Sequence, residues 1–195
     1  RNMIDSESYG VKIGQKFGDK ADINFSYSKY KLDYGRPETS SDMMGPTIFT
    51  GGMTDGSKNN TKYAVAFNYK FNDKLNNNLS FFSRTSDLDD DTNHPATLWL
   101  MREKTWGFSD QLTYADGNHT IVGGYDYYKD AMNKYQDQYT PNMTGTVDNK
   151  AFFIEDKMKF GAFTVTPGVR LSKHSEYGNK TTASGVISYD FNDIT

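Results

Sequence analysis

The sequence predicts an all-β protein, a partial transmembrane antiparallel β-barrel of about nine strands. Three observations carry this. Apolar and polar residues alternate with period two, as where Tyr63, Val65, Phe67, Tyr69 and Phe71 interleave with Lys62, Ala64, Ala66, Asn68 and Lys70. The alternating segments end at near-identical short turns: Phe17-Gly18-Asp19-Lys20, Phe71-Asn72-Asp73-Lys74, Phe160-Gly161 and Phe191-Asn192-Asp193, with Ala115-Asp116-Gly117-Asn118 following Tyr114. Their opposite ends run into longer polar stretches such as Arg36–Asn60 and Asp137–Val147. Short turns at one end and long loops at the other is the layout of a barrel that crosses a membrane.

Each element follows from its own residues. Ser8–Phe17 is a strand, with Tyr9, Val11, Ile13, Gln15 and Phe17 on one parity. Ala21–Tyr34 is a second, with Ala21, Ile23, Phe25 and Tyr27 opposed to Asp22, Asn24, Ser26 and Ser28. Arg36–Asn60, with Pro37, Pro46, Gly45, Gly51, Gly52 and Gly56, reads as a long loop. Thr61–Phe71 is the cleanest strand, and Leu75–Ser86 returns from its turn. Asp87–Pro95 reads as an acidic loop. Thr97–Tyr114 and His119–Gln136 form the next pair, followed by a loop over Asp137–Val147. Asn149–Phe160, Phe163–Glu176 and Thr181–Phe191 complete nine strands. On this parity Phe25, Val65, Phe67, Phe108, Ile121, Val165 and Ile187 face lipid, and Asn24, Ser26, Asn68, Gln111, Thr113 and Arg170 face a hydrated interior.

The composition fits. The 195 residues carry a formal charge of −3, a balance with no basic block to recruit nucleic acid. No apolar run approaches the ~20 residues of a membrane-spanning helix, whereas a barrel strand needs only about 10 and shows lipid every second side chain. Aromatics make up 15% of the chain, enough for girdles at two interfaces; an aromatic-rich β-sandwich core is the competing explanation. With no cysteine there is no disulfide framework or thiolate metal site. Nine is an odd number for a single-chain bacterial barrel, and open edges are not tolerated in lipid. Residues 1–195 are therefore expected to be part of one β-barrel domain of a larger barrel.

The stretch Asp148-Asn-Lys-Ala-Phe-Phe-Ile-Glu-Asp156, then Phe163-Thr-Val-Thr-Pro-Gly-Val-Arg170 and Lys173-His-Ser-Glu-Tyr177, resembles the mid-barrel of TonB-dependent outer-membrane receptors. His119-Thr-Ile-Val-Gly-Gly-Tyr-Asp-Tyr127 resembles the strand that precedes it there. The likeness covers Trp106–Asn192 and is generic before that. It implies a barrel of ~22 strands around a plug, with the plug and the C-terminal strands outside this chain. It also implies a bacterial outer-membrane location, short turns toward the periplasm, and import of a scarce nutrient. That nutrient would be a transported iron chelate (a ferric siderophore), haem or cobalamin. The partners implied are the lipid bilayer, a small-molecule ligand, and TonB through an N-terminal segment this chain lacks. No intrinsic cofactor and no enzyme activity are expected: there is no Gly-x-Ser-x-Gly, His-Glu-x-x-His or phosphate-cradling loop. The alternative is a complete small outer-membrane barrel with a structural or adhesion role.

Candidate site residues lie in the long loops and at strand ends. Tyr34, Phe49, Tyr135 and Tyr139, with Tyr30, offer aromatic surface for a catecholate or macrocyclic ligand, though interfacial girdling also explains strand-end tyrosines. Met43 and Met44, with Met53, offer thioethers to a soft or apolar ligand, or simply help the loop pack on itself. Asp87, Asp89, Asp90 and Asp91 could hold Ca²⁺ in the acidic loop, although the glycine and terminal glutamate of an EF-hand are missing and solvated acidic loops are common. Of the histidines, His94 is placed in that loop, His119 at a short turn, and His174 in a structural position near the outer end of its strand.

Overall fold

The computed structural model describes residues 3–40, 48–91, 99–137 and 140–191. They form nine strands: β1 (Met3–Phe17), β2 (Ala21–Ser40), β3 (Ile48–Lys70), β4 (Leu75–Asp91), β5 (Trp99–Asp116), β6 (His119–Gln136), β7 (Met143–Phe160), β8 (Phe163–His174) and β9 (Gly178–Tyr189). All belong to one sheet in which each strand pairs antiparallel with its sequence neighbours. Five of the eight connections are turns of two to four residues, which leave the chain nowhere to go but back alongside itself.

Cross-strand register carries each predicted parity into a continuous face. Ile13, Phe25, Val65, Phe81, Phe108, Tyr127 and Lys150 are successive partners on one face. Asp22, Asn68, Asn78, Gln111, Gly124, Phe153 and Arg170 are successive partners on the other. All seven positions expected to face lipid fall on the first, and all six expected to face a hydrated interior fall on the second. Asp110, also on the first face, breaks the apolar pattern; its carboxylate accepts a 2.5 Å hydrogen bond from Asn77.

The sheet has no interior of its own. Ala151 is the one buried apolar side chain among the described residues, while Ile13, Phe25, Leu79, Phe81, Phe152 and Leu171 all stand exposed. The chain exposes 13683 Å², against ~9,300 Å² for a globular monomer of its 22.1 kDa mass. Such an apolar face is stable only against another apolar phase. Aromatic clusters bound it at two levels. Near the short turns Phe163 packs on Tyr189 at 4.6 Å, and toward the other end Tyr27 packs on Tyr63 at 5.0 Å and Trp106 on Tyr127 at 5.1 Å. From Tyr114 to Trp106 is eight residues, about 27 Å along the strand and roughly 20 Å after a tilt of ~40°. That approaches the height of a barrel's apolar band.

Three loop expectations are corrected. Much of Arg36–Asn60 is strand: β2 runs on to Ser40 and β3 starts at Ile48, with one register shift between Pro37 and Thr39. The acidic stretch Asp87–Asp91 lies on β4, and β7 begins at Met143 inside the expected third loop. β3 is 23 residues long, where about 10 cross a bilayer. The hairpins therefore extend well past the membrane. Glycine, proline and acidic residues there read as loop, but the cross-strand ladder satisfies the backbone and holds them extended.

The short turns are pinned by local chemistry. Gly117, in the two-residue loop between Asp116 and His119, has φ 57°, a region a side chain would resist. In the β3–β4 turn the Asn72 carboxamide oxygen accepts the N–H groups of Lys74 and Leu75 at 2.9 and 3.0 Å. Lys74 then reaches the Asp116 carboxylate at 2.7 Å. The ammonium's hydrogen bond, seconded by the Tyr114 hydroxyl, holds the Asp116 carboxyl below its ordinary value. A depressed acid stabilises the fold above its unfolded pKa, and the gain is lost as pH falls through the folded one. The stability difference between wild type and Asp116→Asn, read by urea unfolding in lipid, is therefore expected at neutral pH and should close below about pH 4. A gap unchanged at pH 2 would show that this carboxylate is not engaged.

Candidate functional site

At the level between the aromatic clusters the polar face carries two hydrogen-bonded groups of side chains. Asp22 accepts from Asn24 at 2.5 Å and from Asn68 at 2.8 Å, and Asn68 in turn accepts from Asn78. Further round, Asp126 accepts from Ser109 at 2.6 Å and from Arg170 at 2.7 Å. The Arg170–Asp126 pair spans β7 directly over Ala151, whose small side chain is 1% exposed beneath it. The Arg170 guanidinium also lies 5.7 Å from the centre of the Phe153 ring. These are paired charges and amides on a surface that faces water, as the inside of a barrel requires.

Beyond the upper aromatic level, polarity reverses on both faces. The face that is apolar below now carries Lys29, Lys31, Asp33, Asp87, Asp89 and Arg102; Arg102 binds Asp89 at 2.6 Å and lies 3.7 Å from Asp87. The face that is polar below now carries Leu32, Lys58, Leu88, Met101, Tyr135 and Met143, which are successive register partners across β2–β7. One step further out, Tyr34, Gly56, Asp90 and Trp99 form the next row. Here the Tyr34 ring crosses Gly56, where a Cβ would fall inside it, and its hydroxyl donates to Asp90 at 3.0 Å. Asp90 is 3% exposed. The result is an apolar and aromatic mouth above a polar wall, with a few fixed polar groups; this is how small-molecule sites are lined.

The candidate residues fall unevenly on this site. Tyr34 and Tyr135 lie in adjacent rows of the mouth, four strands apart, or about 19 Å. Tyr135 donates to Asp137 at 3.0 Å, and that carboxylate holds the phenol above its ordinary pKa. Phe49 is paired with Thr39 on β3. Met43, Met44, Tyr139 and His94 lie outside the described residues. The aspartates do not converge: Asp87 and Asp89 turn to the outer face and Arg102, Asp90 turns to the inner face and Tyr34, and Asp91 ends β4. Among the described residues no group of three or more acidic or histidine side chains is placed to hold a metal. His174 closes the β8–β9 turn by accepting the N–H groups of Glu176 and Tyr177 at 3.1 and 3.3 Å. His119 sits 2.7 Å from Asp156 near a short turn, far from the mouth. Leu88, Trp99 and Met101 were not anticipated. The parity of Gln111 and Thr113, carried outward along β5, lands on Met101 and Trp99 and would have found two of them.

The profile of the family described as "TonB dependent receptor-like, beta-barrel" matches residues 5–195. Among curated proteins, none is similar enough in sequence to match. Solved structures are similar in fold. The ferric enterobactin receptor of Pseudomonas aeruginosa superposes with a TM-score of 0.80 at 10% identity, covering 98% of this chain and 32% of that one. The FrpB iron transporter of Neisseria meningitidis gives 0.72 at 17%, covering 94% and 34%. The ferric preacinetobactin receptor of Acinetobacter baumannii gives 0.64 at 11%, covering 95% and 37%. The chain thus spans about a third of the length of the structures it matches.

Proposed function

The chain belongs to the TonB-dependent receptor-like β-barrel family, and from that membership we propose that it forms part of a receptor that binds and imports a scarce nutrient, a ferric siderophore or haem, with energy drawn through TonB. Membership implies the bacterial outer membrane as its location. In this reading the short turns face the periplasm and the long hairpins stand outside. Binding is followed by passage along the hydrated wall, with no bond made or broken in the ligand.

The observation that carries the reading is the reversal of polarity above the membrane. An extracellular hairpin with no ligand to meet has no reason to turn Leu32, Leu88, Met101, Trp99 and Tyr135 inward and charge outward. Iron chelates and haem combine apolar or aromatic surface with polar groups, and the mouth offers both: the apolar row, with Lys58 in it and Asp90 beside it.

The test uses the full-length protein in detergent, titrated with ferric catecholate, ferric hydroxamate and ferric citrate chelates and with haemin. Trp99→Ala and Tyr135→Ala are expected to weaken the tightest of these by about tenfold each, in line with loss of one aromatic anchor. Asp33→Ala, on the outward face, should leave Kd unchanged. Wild-type protein that binds none of the four probes would reject the ligand class. Unchanged affinity in both aromatic variants would reject the site.

A further inference from the structure

The outer-girdle level of the apolar face carries a second surface, independent of nutrient import. Tyr127, Lys150 and Lys173 are successive register partners on β6, β7 and β8. Lys150 and Lys173 thus stand directly opposite one another, both exposed. Like charges at that separation repel, yet no carboxylate lies within ion-pair distance of either among the described residues. The Lys150 ammonium is instead 5.9 Å from the centre of the Tyr127 ring. One row toward the short turns the same face becomes apolar, with Tyr125, Phe152 and Leu171 in register. Lys150, Lys173, Tyr125, Phe152 and Leu171, with residues of β9, line a groove of about 660 Å³ across these two rows.

We propose that this groove holds an anionic, phosphate-bearing, acylated lipid of the outward-facing leaflet. The two ammonium groups sit at the depth of lipid headgroups, where they would share a phosphate and relieve their mutual repulsion. The strip formed by Tyr125, Phe152 and Leu171 would take an acyl chain. A soluble anion would gain from the lysines but nothing from the strip, so charge and apolar surface together select a lipid.

The test is native mass spectrometry of the full-length protein exchanged into detergent containing lipid A, phosphatidylglycerol or phosphatidylcholine, with 10 mM inorganic phosphate as competitor. Wild type is expected to retain the two anionic lipids over zwitterionic phosphatidylcholine, whose phosphate is balanced by its own choline, and to keep them in the presence of phosphate. K150Q/K173Q is expected to lose retention at least tenfold, and K150R/K173R to restore it. Equal retention of all three lipids by wild type, full displacement by phosphate, or full retention by K150Q/K173Q would each overturn the proposal. The wild-type comparison stands even if the glutamine variant fails to fold. Iron-chelate binding by the same preparations separates this outcome from the import reading.

Discussion

Replacing Phe67 with arginine is expected to cost about 2–4 kcal/mol of stability in a bilayer. Phe67 lies between the two aromatic levels, partnered by Ile23 and Leu79 on the apolar face. An arginine there would place its guanidinium in hydrocarbon, and the carboxylate in its register row, Asp110, lies two strands away beyond Leu79 and already accepts from Asn77. Its neighbour Asn68 points the opposite way, beside Asp22 and Asn78. Asn68→Arg should be close to neutral, since the new cation faces water and sits next to Asp22. Reversible unfolding of the full-length protein into urea, from vesicles, reads both values. Equal tolerance at the two positions would mean that the faces are assigned wrongly, and with them the whole membrane reading.

The second large effect is expected from Gly124→Val. A Cβ at Gly124 would lie 2.5 Å from the Asp110 carbonyl oxygen and 2.7 Å from the Phe153 ring. The first obstacle is backbone in a ladder and cannot swing aside. The second is the ring that Arg170 covers, so moving it disturbs the Arg170–Asp126 pair as well. Overpacking of this kind costs about 1–3 kcal/mol. Gly123 supplies the control from one residue away. It faces lipid, and its nearest neighbours are ordinary contacts at 3.6 and 3.8 Å, so Gly123→Val should be neutral or slightly stabilising. Similar losses at both glycines would show that backbone freedom, rather than the Phe153 lid, is what that strand requires.

Those adjacent glycines also mark where sequence ceases to be informative. Alternation gives each a face, because side chains in a strand point to opposite sides in turn. It says nothing about which glycine a ring from the next strand will cover. The same limit applies to Gly56. In the sequence it was one of several glycines suggesting a loop, yet in the fold it is the gap through which Tyr34 reaches Asp90. The loop expectation over Arg36–Asn60 failed because local propensity was read where pairing decided. Residues that favour turns in isolation remain extended once each N–H and C=O meets a partner across the hairpin.

What the sequence determined by itself was the period and its consequences: nine strands, short turns at one end, and an apolar and a polar face whose members were all correctly sorted. These follow from local geometry, since a two-residue repeat and a tight turn require nothing distant. The mouth was decided only by tertiary structure. Leu32, Leu88, Met101 and Tyr135 are far apart in the chain and become one row only through the register of five consecutive strands. That register is set by the turns and held by ladders outside the membrane. The pairing of Asp87 and Asp89 with Arg102, and of Asp90 with Tyr34, has the same origin: alternation sent neighbouring carboxylates to opposite faces, and register chose the partner each one met.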